Sequence, residues 1–127
     1  MVIGYVSIVH SHGACYTWST MSKSIKKLLC EVKAELESIY GSHLKGVYLY
    51  GSYARNEADS ESDVDVLVVL DRIGRYTEEI ERTGHLIADL SLKHNVSLSR
   101  VFIRERDWLH AAMPFLINVR EEAIAAS

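Results

Sequence analysis

Proline and cysteine are scarce in this sequence, and positive charge is not in excess. Of 127 residues one is proline, Pro114, and two are cysteine, Cys15 and Cys30. Two cysteines are too few for a disulfide framework, and their spacing fits no zinc motif, so they read as reduced thiols of a cytoplasmic protein. The low proline content, with no low-complexity tract, speaks against a disordered chain. Lys and Arg number 14 against 17 Asp and Glu, a formal net charge of -3. Proteins that grip long nucleic acids by their phosphates carry a basic excess, so such a partner is disfavoured. No run approaches the roughly 20 apolar residues of a membrane span. Residues 1–20 also lack the basic start and unbroken apolar stretch of a signal peptide.

What is present is the composition of one folded domain: 48% apolar and 24% charged residues in a chain long enough for a single core. Residues 1–20 differ from the rest, being rich in Ser, His, Gly and Tyr and free of acids and of Lys and Arg. They read as an N-terminal extension, with residues 2–6 as an extra edge strand or part of a loosely packed leader. The folded unit is then residues 21–127. Within the leader His10, His12 and Cys15 form a weak candidate metal group.

Ser22 or Ser24 is placed to cap a helix running to about Tyr40, with Ile25, Leu28, Leu29, Val32, Leu36 and Ile39 on one face and Gly41 ending it. Residues 45–50 read as a strand, with Val47 and Leu49 alternating with Gly46, Tyr48 and Tyr50. A polar stretch follows over 51–62. Residues 63–70 form a second strand, almost wholly apolar after its acids and therefore central. Thr77 is placed to cap a helix to His94, residues 96–103 form a third strand, and Asp107 caps a last helical segment that Pro114 restarts. This order predicts an α/β (α+β) domain, a small mixed β-sheet with helices packed on it. Trp108, Met113, Phe115 and Leu116 are core, or alternatively an apolar surface for a partner. His43, His85, His94 and His110 show no ligand spacing.

The chemistry concentrates between Gly51 and Asp65. Asp63 and Asp65 are two apart in a strand, so their carboxylates project from the same face. Two such carboxylates repel unless a cation lies between them, and magnesium suits hard oxygen donors completed by phosphates and water. Gly51-Ser52 follows a strand where the chain turns. Glycine allows close approach there, free N–H groups and the Ser52 hydroxyl suit phosphate, and Arg55 one turn later suits the same anion. A calcium loop starting at Asp59 fails, because Val64 and Leu70 stand where glycine and glutamate are required. A P-loop fails for lack of Gly-Lys-Ser/Thr.

Gly51-Ser52, ten residues, then Asp63-Val64-Asp65 resembles the signature of the DNA polymerase β-type nucleotidyltransferase superfamily, and most of all its minimal nucleotidyltransferases (MNT). Ala54-Arg55, Ser62 and the late stretch from Pro114 to Glu122 fit the same family. The resemblance implies the nucleotidyltransferase fold, with a short helix after the Gly-Ser turn. It implies transfer of AMP from ATP to a hydroxyl, with two magnesium ions on Asp63 and Asp65 and nucleotide contacts from Gly51, Ser52 and Arg55. It also implies a role as antitoxin to a HEPN-type toxin protein. The alternatives are an antitoxin acting by binding with little catalysis, and a small-molecule, aminoglycoside-like nucleotidyltransferase. Two departures stand out. Active members usually carry a third carboxylate on a later strand, yet residues 96–103 hold no acid; Ser97 or Ser99 takes that place, and Asp89 lies on the preceding helix. Asn56 stands where many relatives have glycine.

Overall fold

The computed structural model describes residues 17–126. The edge strand considered over 2–6 and the His10, His12, Cys15 group lie outside the described residues. Helix α1 (Lys23–Tyr40) starts where Ser22 Oγ accepts the N–H of Ile25 at 3.3 Å, a cap worth about 1 kcal/mol. Its buried face is Ile25, Leu28, Leu29, Val32, Leu36 and Tyr40. Ile39, expected on that face, is 37% exposed, because the stripe continues from Leu36 by four residues to Tyr40. Gly41 ends the helix at φ +56° and ψ −130°, a region open essentially to glycine alone.

Strand β1 (Leu44–Tyr50) is followed by β2 (Val64–Leu70), helix α2 (Tyr76–His94) and strand β3 (Leu98–Arg104). Helices α3 (Glu105–His110) and α4 (Pro114–Glu122) and the two-residue strand β4 (Ile124–Ala125) complete the chain. The sheet order is β3-β2-β1-β4; β2 and β3 run parallel, and β1 is antiparallel to both its neighbours. Two helix starts differ from expectation. Thr77 lies inside α2, which begins at Tyr76, whose hydroxyl accepts the Phe102 N–H at 3.0 Å and fastens the helix start to β3. Asp107 lies inside α3, where it takes the Arg104 guanidinium at 2.8 Å instead of capping. Pro114 opens α4 as expected. Strand β4 has no counterpart in the sequence reading.

The sheet is covered on both faces. Helices α1 and α2 bury Leu28, Leu29, Val32 and Leu90 against Val47, Leu49, Val66 and Val68. Tyr48, Leu67 and Val69 on the opposite face meet Trp108, Leu116, Val119 and Ala123. This double cover is why β2 reads as an unbroken apolar run. Of the four residues weighed as core or partner surface, Trp108 and Leu116 are buried, while Met113 and Phe115 are exposed. No described helix is long and apolar enough to cross a membrane.

Candidate active site

The site lies at the end of the sheet where β1 stops and β2 begins. Register places Tyr50 opposite Asp65 and Asp65 opposite Ser99, a row across three strands. By alternation this row shares the face of Tyr48, Leu67 and Val69, the face covered by α3 and α4. Asp63 stands exposed just before β2, one pleat from Asp65. A small turn delivers it there: Asp59 Oδ1 accepts the Glu61 N–H at 2.9 Å and the Ser62 hydroxyl at 3.2 Å. The Asp59 carboxylate is thus spent on the loop.

Asp65 is half-buried and accepts the Ser99 hydroxyl at 2.8 Å. Its carboxyl is pushed above the ordinary carboxylate range, chiefly by burial, with repulsion from Asp63 and Glu122 adding to it and the Ser99 hydrogen bond and Arg55 opposing it. The neighbouring Tyr50 phenol is pushed up to about 12, by burial first and then by the Asp65 charge. Ser99 is thus the β3 side chain that bonds to Asp65. Asp89 does not serve instead: it pairs with His85 at 3.2 Å on the exposed side of α2.

Gly51 sits against Asp65. Its φ is +79°, and a Cβ there would overlap the Asp65 carboxylate. Only glycine lets the turn close this tightly. Its own N–H, however, is taken by Glu122 Oε2 at 2.7 Å, so Gly51 supplies clearance rather than the phosphate donor expected of it. Open N–H groups lie one step on. Among the described residues no acceptor takes the N–H groups of Ser52, Tyr53 or Ala54. The segment after Gly51 is a set of turns rather than the expected short helix. The Arg55 N–H reaches Gly51 O at 3.1 Å, and then Asn56 at φ +59° reverses the chain and Glu57 N–H returns to Ser52 O at 2.8 Å. Asn tolerates the left-handed region better than other residues with a Cβ, which accounts for Asn56 at this reversal.

Arg55 is held by two acids. Its Nε donates to Glu57 at 2.9 Å, and Nη1 donates to both oxygens of Glu122 at 3.1 and 3.3 Å. Glu122 was not singled out in the sequence. It comes from the far end of α4, 71 residues from Gly51, as the last residue of the late stretch that fits the family, and nothing local gives it a role. Beside it a cavity of about 450 Å³ opens between β1 and α4, lined by Tyr50, Gly51, Arg55, Phe115, Asn118 and Glu122 among others. Among the described residues no group of three or more His, Cys, Asp or Glu forms a metal cage. Asp63 and Asp65 instead offer two hard oxygen donors and leave the remaining positions open, the donor set that suits magnesium completed by phosphate and water.

The nucleotidyltransferase domain model matches residues 29–123. Three archaeal relatives carry protein adenylyltransferase names. MntA of Thermococcus cleftensis is 38% identical over 71 residues, covering 56% of this chain and 70% of the relative. MJ0141 of Methanocaldococcus jannaschii is 31% identical over 81 residues, covering 64% and 81%. MJ0604 of the same organism is 41% identical over 76 residues, covering 60% and 70%. The fold is similar to a toxin–antitoxin crystal structure with AMP-PNP, at TM-score 0.53 and 18% identity, over 84% of this chain and 73% of that one. It is also similar to the toxin–antitoxin MntA–HpeT, in a mutant with two aspartates changed to glutamate, at TM-score 0.50 and 18% identity, over 76% and 71%. Family match and relatives concur, and the chain belongs to the nucleotidyltransferase domain family as an adenylyltransferase-type enzyme.

Proposed function

We propose that this chain moves AMP from ATP, with magnesium, onto a hydroxyl of a partner protein in the cytoplasm, and that the partner is a HEPN-type toxin. The observation that carries the reading is the pair Asp63 and Asp65, with Gly51 turning directly against the Asp65 carboxylate and three unpaired amides following it. The protein adenylyltransferase names of the relatives support a protein acceptor, and the toxin–antitoxin structures of similar fold support a toxin.

Asp63 and Asp65 would hold the magnesium, whose charge stabilises phosphate oxygens and the leaving group when bound. The chain's own groups position the nucleotide. The amides of Ser52, Tyr53 and Ala54 and the Ser52 hydroxyl donate to the phosphate tail. Arg55 adds a charge-assisted donor. The acceptor oxygen bonds to the α-phosphorus, the bond from that phosphorus to the bridging oxygen breaks, and pyrophosphate leaves. The hydroxyl proton passes to solvent, because Ser99 rather than a carboxylate stands beside Asp65.

That last feature favours a second reading, in which the chain restrains its partner by binding and transfers AMP slowly or not at all. Incubation with α-labelled ATP, magnesium and the purified partner separates the two. Label is expected on the partner, and Asp63→Asn or Asp65→Asn should lower it by at least about 100-fold, the usual scale for losing one charge-stabilising group. A stable complex with no label, indifferent to both substitutions, would establish the binder.

A further inference from the structure

The donors around Gly51 are organised by a residue outside the Gly-Ser to Asp-x-Asp stretch. Glu122 bonds at once to the Gly51 N–H and to the Arg55 guanidinium. Its side chain is 19% exposed, and its backbone is anchored on both sides. Before it, Leu116 and Val119 of α4 are buried against the sheet; after it, Ala123 and Ile124 are buried, and Ile124 pairs with Leu49 in β1. Arg120 adds a clamp by donating to the backbone carbonyls of Trp108, at 2.7 Å, and of Ala111. A carboxylate mounted on so fixed a base does not swing freely. Gly51 is consequently held by Glu122 at its N–H and closed in by the Asp65 carboxylate where a Cβ would stand. Arg55, on a turn with no regular structure, has its direction set by Glu122 and by the exposed Glu57.

We infer that Glu122 is the positioning residue of the phosphate site, holding the Gly51 turn in register with Asp65 and aiming Arg55 at the triphosphate. The inference rests on the nucleotide-binding reading above. The opposite role for Glu122 is that of an anion that merely occupies donors meant for phosphate and must be displaced. The two differ in sign. Removing a competing anion tightens nucleotide binding, whereas removing a positioning group weakens it.

The test is the Kd for AMP-PNP with magnesium, by calorimetry on the full chain, for wild type, Glu122→Gln, Glu122→Ala, Arg55→Ala and the double variant Arg55→Ala with Glu122→Gln. Glu122→Gln keeps an acceptor for the Gly51 N–H but loses the charge on Arg55, and should weaken binding about 10-fold. Glu122→Ala loses both contacts and should weaken it further. Once Arg55 is Ala, Glu122→Gln should cost little more, because its effect runs through Arg55. Melting temperature and amide exchange of Gly51 without nucleotide give readouts independent of binding: Glu122→Gln should melt close to wild type, while Glu122→Ala should speed exchange at Gly51. Unchanged or tighter binding by Glu122→Gln overturns the inference. If that occurs while Ser52→Ala and Asp65→Asn still weaken AMP-PNP, the nucleotide reading survives and only the role of Glu122 falls. Wild type that binds no AMP-PNP with magnesium removes both.

Discussion

Ser99 faces Asp65 across the parallel β2–β3 pair, and its hydroxyl is the polar partner there of a half-buried carboxylate. A serine neither draws a proton from an acceptor nor ligates a cation well, so the position is suited to steadying Asp65 rather than to activating the attacking oxygen. Ser99→Asp places an acid at this register. Without a cation it places a further charge against Asp65, whose carboxyl already resists ionisation through burial, and the melting temperature should fall. With magnesium and ATP the rate of label transfer to the partner should rise about 10- to 100-fold, at or just below the range of general-base catalysis. An initial rate at or below wild type would mean that the missing acid does not limit transfer. At this scale much of the site was legible. The spacing of Asp63 and Asp65 and the turn at Gly51 follow from strand alternation and glycine geometry, both local properties. The choice of Ser99 over Ser97 was not legible, because it depends on the register between two strands joined by a 19-residue helix.

Between elements, α1 and α2 are joined by more than apolar contact. Tyr40 donates to the buried Glu79 at 2.6 Å, and Arg82 reaches the same oxygen at 2.7 Å. At the other end Lys93 and His94 both meet Glu31, at 2.9 and 3.2 Å. The Lys93 hydrogen bond first, and the His94 one second, hold the Glu31 carboxyl below its ordinary value of 4.5. A carboxylate lowered in the folded state adds stability above its unfolded pKa and loses it as pH falls through the folded one. Wild type should therefore melt slightly above Glu31→Gln near pH 7, and the two curves should converge below pH 4.5 as Glu31 takes up its proton. A gap that persists or widens in acid would contradict the assignment. Helices α1 and α2 and strands β1 to β3 were readable because each is long enough for its apolar period to show. Strand β4 has two residues and no period at all. It exists only because β1 offers an open edge, and with it comes Glu122, whose place beside Gly51 is a tertiary fact joining residues 71 apart.

At the scale of the molecule, the site lies at a seam between the sheet and the α3–α4 layer, and that layer carries exposed apolar side chains among its polar ones. Met113 is 59% exposed, Phe115 44% and Ile117 42%, and Phe115 also walls the cavity beside Gly51 and Arg55 through an edge contact with Tyr50 at 5.8 Å. Of these side chains Phe115 reaches the cavity, so a partner seated on this surface would lie beside the site in the proposed reaction. In the proposed reaction the partner is expected to supply much of the binding area, and exposed apolar anchors are the groups that such interfaces bury. Changing Met113 and Ile117 together to Glu should weaken the complex with the labelled partner by at least about 10-fold, equivalent to about 1.4 kcal/mol. Neither residue lines the cavity or contacts the aspartates, so the affinity for AMP-PNP with magnesium should stay at the wild-type value. Titration of partner into the doubly substituted chain, beside AMP-PNP calorimetry on the same sample, checks both halves. Undiminished partner binding would move the docking surface to another face. Loss of nucleotide affinity would instead mean that α4 and the Glu122 it carries had been disturbed, tying the two functions through a single helix.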